Sequence, residues 1–155
     1  DVLAALEKIQ RDDYALLIAG TNVNPDVDLD LPAIVRTKKL EEKVFLLGHV
    51  NRIVLEFLYS YCDVFVLPSR SEGLSIAMLE AMYMGLPVVV SDRVGLWREV
   101  EKNRCGLVVS YDESSLAEAL KLMAAAPDRR ASRKAGRKAA IRGRAGRPEA
   151  SSAGP

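Results

Sequence analysis

The segment SRSEGLSIAMLEAMYMGLPVVVSD, residues 69–92, carries two glutamates whose spacing could do chemistry. Between Glu72 and Asp92 the one charged residue is Glu80, set among Met78, Leu79, Met82 and Met84. Eight residues of helix would separate the two carboxylates by about 12 Å along the axis. That is too far for both to hold one metal ion or one reacting atom. It suits a grip on two ends of a long, bent ligand. An ionised Glu80 left unpaired among apolar side chains would cost several kcal/mol. A pair of ribose hydroxyls would satisfy both its oxygens, and so would a nearby arginine or backbone amide. The residues alone leave the two readings open.

The turn before that helix has its own chemistry. The apolar run DVFVLP ends at Pro68, Ser69–Glu72 form a turn, and a helix is expected to start near Gly73. The first amides of a helix have no intrahelical partners, and the helix dipole turns its positive end toward the loop. A strand, a small polar turn and a helix start can therefore hold phosphate oxygens. Gly73 lets a ligand come close to the backbone, Ser75 adds a hydroxyl, and Glu72 can accept hydrogen bonds from a neutral polyol beside the phosphates.

Five short apolar runs must position these residues: YALLIAG (14–20), KVFLLG (43–48), DVFVLP (63–68), PVVV (87–90) and CGLVV (105–109). Unbroken apolarity over so few residues predicts strands covered on both faces, as in a parallel sheet. Helices are predicted between them, at roughly 30–40, 51–61, 74–84, 94–102 and 114–125, with Asn51 capping the second and Asp112 or Ser114 the last. This alternation predicts a doubly wound, Rossmann-like three-layer α/β/α parallel sheet. In that architecture ligands bind beyond the carboxyl ends of the strands.

The chain has 155 residues, which suits one domain with a substantial core. Residues 129–155 hold nine Lys/Arg and one acid, Glu149, so a basic tail follows a mildly acidic body. After Pro127 there is almost nothing to bury, and 127–155 is expected to be a disordered, solvated tail. It lacks the interleaved aromatics of a nucleic-acid arm, so no nucleic-acid partner is expected. Cys62 and Cys105 are far apart and without metal-ligand neighbours, which favours buried free thiols in a reducing compartment. No apolar run approaches the roughly 20 residues of a membrane span, and no signal peptide is read ahead of the first helix. The expected location is the cytoplasm, with peripheral membrane attachment of a full-length protein left open. DVLAALEKIQ reads as a chain that begins inside a helix, a fragment without the strand that should precede it. The ordered domain is expected over 1–126.

Pro68-Ser69, Glu72-Gly73, Glu80-Ala81-Met82 and Gly85-Leu86-Pro87-Val88-Val89 together resemble the E-x7-E signature of retaining GT-B glycosyltransferases. The likeness is to the C-terminal domain of glycosyltransferase family 4 (group 1), and covers about residues 1–126. LLIAGTN is similar to the family's second strand and its glycine, Gly20; VFLLGHV to the strand and loop beside the base; CGLVVSYDESSLAEAL to the closing strand and helix. The resemblance implies the C-terminal half of a GT-B fold that binds a nucleotide-diphosphate sugar. Glu72 would contact hydroxyls of the donor sugar at the catalytic centre, and the backbone of Gly73, Leu74, Ser75 and Ile76 the sugar and diphosphate. Glu80 would hold the ribose, and Gly48, His49, Val50 and Asn51 would lie near the base. Transfer would retain the anomeric configuration and need no metal or other cofactor.

The sequence also departs from that pattern. The family's glycine-arginine and lysine-glycine pair, which charges the diphosphate site, would precede Asp1, as would the acceptor-binding N-terminal domain. Leu74 stands where Phe is common. A donor-binding half-site is therefore expected, weak and inactive alone. Two alternatives belong to other classes: a non-catalytic nucleotide-sugar-binding or scaffolding module, and another GT-B enzyme such as a nucleotide-sugar epimerase or a phosphorylase. Other features read as structural. The acids of DVDLD (26–30) suit a loop and helix cap, Arg70 a solvent-facing loop, and Leu96 and Trp97 packing. His49, the only histidine, suits a surface loop as well as a base pocket.

Overall fold

The computed structural model describes residues 2–9, 11–20 and 30–125. Helix and strand alternate throughout: α1 (Val2–Glu7), β1 (Leu16–Ala19), α2 (Leu31–Thr37), β2 (Val44–Gly48), α3 (Arg52–Tyr61), β3 (Phe65–Leu67), α4 (Ile76–Tyr83), β4 (Val88–Ser91), α5 (Trp97–Asn103), β5 (Gly106–Val109) and α6 (Glu113–Ala125). Every apolar run read as a strand is one, and every predicted helix is present, the opening helix included. The tail, 127–155, and most of DVDLD lie outside the described residues. Asp30, the last of those acids, caps α2 by accepting from the Ala33 amide at 2.9 Å.

Among the described residues all strand pairs are parallel. They form a two-stranded sheet, β1–β2, and a three-stranded sheet, β3–β4–β5. The sequence predicts one continuous sheet. Among the described residues β1 and β3 do not pair, although side chains of both pack against one hydrophobic cluster.

Helices cover the strands from two sides, giving α/β/α layers. On one side Leu3, Ala5 and Leu6 of α1, Val35 of α2 and Leu116, Ala117 and Ala119 of α6 enclose Val44 and Val89. On the other, Tyr59 of α3, Met78 and Ala81 of α4 and Val100 of α5 enclose Val88 and Val90. Strand β4 is thus the hinge of the core: its side chains alternate between the two clusters, and Val88, Val89, Val90 and Ser91 are all inaccessible to solvent. This is why PVVV contains no polar residue.

The same inference fails for β1 and β2. Leu17 and Phe45 stand in register, and these two with Leu46 and Leu47 are all substantially exposed. Apolar composition alone does not reveal which face finds a cover. On α3, Ile53, Phe57 and Tyr61 likewise form an exposed i, i+4, i+8 stripe, with the Phe57 and Tyr61 rings stacked at 4.2 Å. Leu96 and Trp97 pack against the second cluster, as expected. Cys62 and Cys105 are half-buried and not joined by a disulfide, and burial raises the Cys105 thiol above its ordinary range.

Candidate functional site

The turn after β3 is held by backbone pairing to the segment after β4. Glu72 and Val94 form an isolated parallel bridge, in which the Glu72 amide donates to the Arg93 carbonyl at 3.3 Å and the Gly95 amide to the Glu72 carbonyl at 2.7 Å. Behind this bridge the chains are in close contact. A Cβ on Gly95 would lie 2.0 Å from the Gly73 carbonyl oxygen, so only glycine fits there. Gly73 presents the opposite case, because a Cβ there would meet nothing within 4 Å. One side of the turn is packed and the other is open to a ligand. The Gly95 requirement was missed in the sequence; its only trace there is an isolated glycine in DRVGLW.

The helix after the turn begins later than the sequence suggests. Ser75, not Gly73, is the N-cap of α4, and its hydroxyl accepts from the Met78 amide at 3.3 Å. Ser75 is buried and its oxygen already engaged, so the first amides available to an anion belong to residues at and before the start of the helix. Leu74 and Ile76 flank Ser75 with exposed side chains.

The two carboxylates are in different situations. The Glu72 side chain is half-buried, and among the described residues it has no ion-pair or hydrogen-bond partner. Glu80 is partnered within the chain: Arg52 Nη1 lies 2.5 Å from its Oε1 and the Tyr59 hydroxyl 3.4 Å from its Oε2. The arginine partner that the sequence leaves open is therefore present, and no ligand is required to neutralise Glu80. Its side chain is about a quarter exposed, so burial is milder than the apolar neighbours suggest. Arg52 also donates from Nε to Glu56 at 2.7 Å, one helical turn along α3.

These residues line a cleft of about 460 Å³ formed by Arg52, Glu56, Tyr59, Ile76, Leu79, Glu80, Tyr83 and Met84. The cleft unites Ile76 and Glu80 from the expected set. Glu72, Gly73 and the loop at 48–51 are not among its lining residues, although Asn51 adjoins Arg52 and caps α3 by accepting from the Val54 amide at 3.0 Å.

At the ends of β1 and β2 the two expected glycines meet. The Gly20 amide donates to the Gly48 carbonyl at 2.7 Å, and both have positive φ, 121° and 62°, with open space where a Cβ would stand. His49 is exposed and Val50 half-buried beside them. Arg70, in the turn after β3, donates to the Tyr111 hydroxyl at 3.1 Å and lies over that ring, a tie between two strand ends.

Parallel strands with helices on both sides place this chain among doubly wound α/β domains, in which ligands bind beyond the carboxyl ends of the strands, where the open turn at Gly73 lies. A family model described as "Glycosyl transferases group 1" matches residues 1–140, and the chain belongs to that family. It is 34% identical over 122 residues to the O-antigen chain mannosyltransferase RfbU of Salmonella typhimurium, covering 79% of this chain and 34% of the relative. It is 34% identical over 141 residues to the alpha-maltose-1-phosphate synthase of Mycolicibacterium smegmatis, covering 83% of this chain and 35% of that one. Among solved structures, the sucrose-phosphate synthase of Thermosynechococcus elongatus superposes with a TM-score of 0.74 at 28% identity, over 90% of this chain and 36% of the other. The chain spans about a third of the length of each of these proteins. Its fold is the Rossmann-like half of a GT-B glycosyltransferase.

Proposed function

We propose that this chain is the donor-binding part of a retaining family 4 glycosyltransferase, which transfers a sugar from a nucleotide-diphosphate sugar to an acceptor held elsewhere. The observation that carries this reading is the contrast between the two carboxylates. Glu72 stands unengaged at an open turn, while Glu80 faces a cleft of about 460 Å³ with its orientation fixed. A free carboxylate beside an open glycine suits neutral sugar hydroxyls. An oriented one at the side of a cleft suits a ribose diol.

In the reaction, the bond from the anomeric carbon to the diphosphate oxygen breaks, and a bond to the acceptor oxygen forms on the same face. The acceptor's hydroxyl proton passes to the departing diphosphate. Negative charge grows on the leaving diphosphate, where backbone amides around the start of α4 and basic side chains would stabilise it. Glu72 would orient the donor sugar at that centre. Gly20 and Gly48, with His49–Asn51, would border the base. The reading expects no resident metal.

The test is calorimetric titration of UDP, GDP, ADP and their sugar conjugates, with and without magnesium. Glu80→Gln is expected to weaken nucleotide binding about tenfold, the loss of charge-assisted hydrogen bonds to the ribose. Glu72→Ala is expected to leave free nucleotide within about twofold of wild type and to abolish any added affinity from the sugar. Equal effects of both changes on free nucleotide would sink this division of labour.

A further inference from the structure

Glu80 is not positioned by its own helix alone. Its Oε1 is held by Arg52, the first residue of α3, and its Oε2 faces the hydroxyl of Tyr59, two turns further along that helix. Arg52 is in turn braced from Nε by Glu56. The loop at 48–51 runs directly into Arg52 through the Asn51 cap, so one arginine joins the end of β2 to a carboxylate on α4.

A carboxylate offers about four acceptor directions. Arg52 takes one on Oε1, and the Tyr59 hydroxyl, whose single proton is shared with the Ala77 carbonyl at 3.2 Å, faces Oε2 at 3.4 Å; the other directions are left. Arg52 touches Glu80 through one nitrogen, Nη1, and Glu56 through Nε; the planar guanidinium sets these two contacts at a fixed angle, which an ammonium would not do. From this geometry we infer that Arg52 is a positioning residue: it fixes the Glu80 carboxylate so that its remaining lone pairs meet a vicinal diol in the cleft. This rests on the assignment of Glu80 to the ribose. The opposite possibility is that Arg52 competes with the ligand for Glu80, in which case its removal would strengthen binding. The sign of the effect separates the two.

The experiment compares UDP, GDP and ADP with their 2′,3′-dideoxy counterparts by calorimetry on the full chain, for wild type, Arg52→Ala, Arg52→Lys and Glu80→Gln. Thermal denaturation is followed on the same samples. Wild type should prefer the ribonucleotide it binds over the dideoxy form by about tenfold, the worth of hydrogen bonds to a charged group. Arg52→Ala should cut that preference to within about twofold by weakening the ribonucleotide alone, and Arg52→Lys should restore only part of it. A structural role for Arg52 would weaken both nucleotides together and leave the preference intact. That result, or tighter binding by Arg52→Ala, overturns the inference while a preference lost in Glu80→Gln upholds the ribose assignment. Absence of any preference in wild type, or of any binding at millimolar nucleotide, overturns the ribose assignment itself and the inference with it.

Discussion

Tyr59 shows how much one side chain in this site is asked to do. Its ring is buried against the second core cluster, edge-on to Phe65. Its single phenolic proton faces the Ala77 carbonyl at 3.2 Å and Glu80 Oε2 at 3.4 Å. Burial first, then the neighbouring carboxylate, push its pKa from 10.0 to about 12. An unfolded chain gives up this proton near pH 10 and the folded one near pH 12. The stability it contributes is therefore complete below pH 10 and is lost as pH rises through the folded value. Tyr59→Phe should be less stable at pH 8 by about 1 kcal/mol, the usual worth of a lost hydrogen bond. The deficit should shrink between pH 10 and 12, because the variant has no such proton to lose. Urea unfolding across that range checks both parts. An unchanging difference between the two proteins would mean that the phenol titrates alike in both states.

At the scale of elements, the turn between β3 and α4 is built from two glycines with opposite constraints. Gly73→Ala places a methyl in open space and should change stability by no more than about 0.5 kcal/mol. It should still reduce nucleotide-sugar affinity, because the methyl occupies the approach to the backbone. Gly95→Ala forces the Glu72–Gly73 turn away from the segment after β4 and should cost about 1–3 kcal/mol. Thermal melts paired with donor titration separate a binding defect from a folding defect. A Gly73→Ala protein that unfolds as early as Gly95→Ala would show that the open side of the turn is not open. The sequence makes this junction legible only in part. The strand, the turn and Glu80's helix follow from local pattern and are found as expected. The true cap at Ser75 is not separable from a start near Gly73, because several small polar residues and glycine compete for the role. The Gly95 contact and the Arg52–Glu80 pair join residues 22 and 28 positions apart. Periodicity carries no information about such contacts.

Over the whole molecule, the strands were all visible in the sequence, but their unequal covering was not. VFLLG and PVVV look alike as apolar runs. In the fold, β4 has a hydrophobic cluster on each side, whereas β2 presents Phe45, Leu46 and Leu47 at 45%, 38% and 37% exposure. Only long-range packing makes that distinction. The difference should be visible in native-state hydrogen exchange, where the free energy of opening follows local burial. Amides of Val88–Ser91, central in their sheet and shielded on both faces, should exchange only through global unfolding. Their rates should track the denaturant-measured stability and shift with every destabilising variant described above. Amides of Val44–Gly48 should open locally, at least about tenfold faster, and be insensitive to Gly95→Ala, which acts on the other sheet. Equal protection of the two strands would mean that the β1–β2 pair and the β3–β4–β5 sheet open as one unit, with the shared cluster around Val89 coupling them despite the absence of pairing between β1 and β3. Faster exchange at β2 would instead place the cooperative core in the sheet that carries Glu72, and leave the Gly20–Gly48 end of the site to move independently of it.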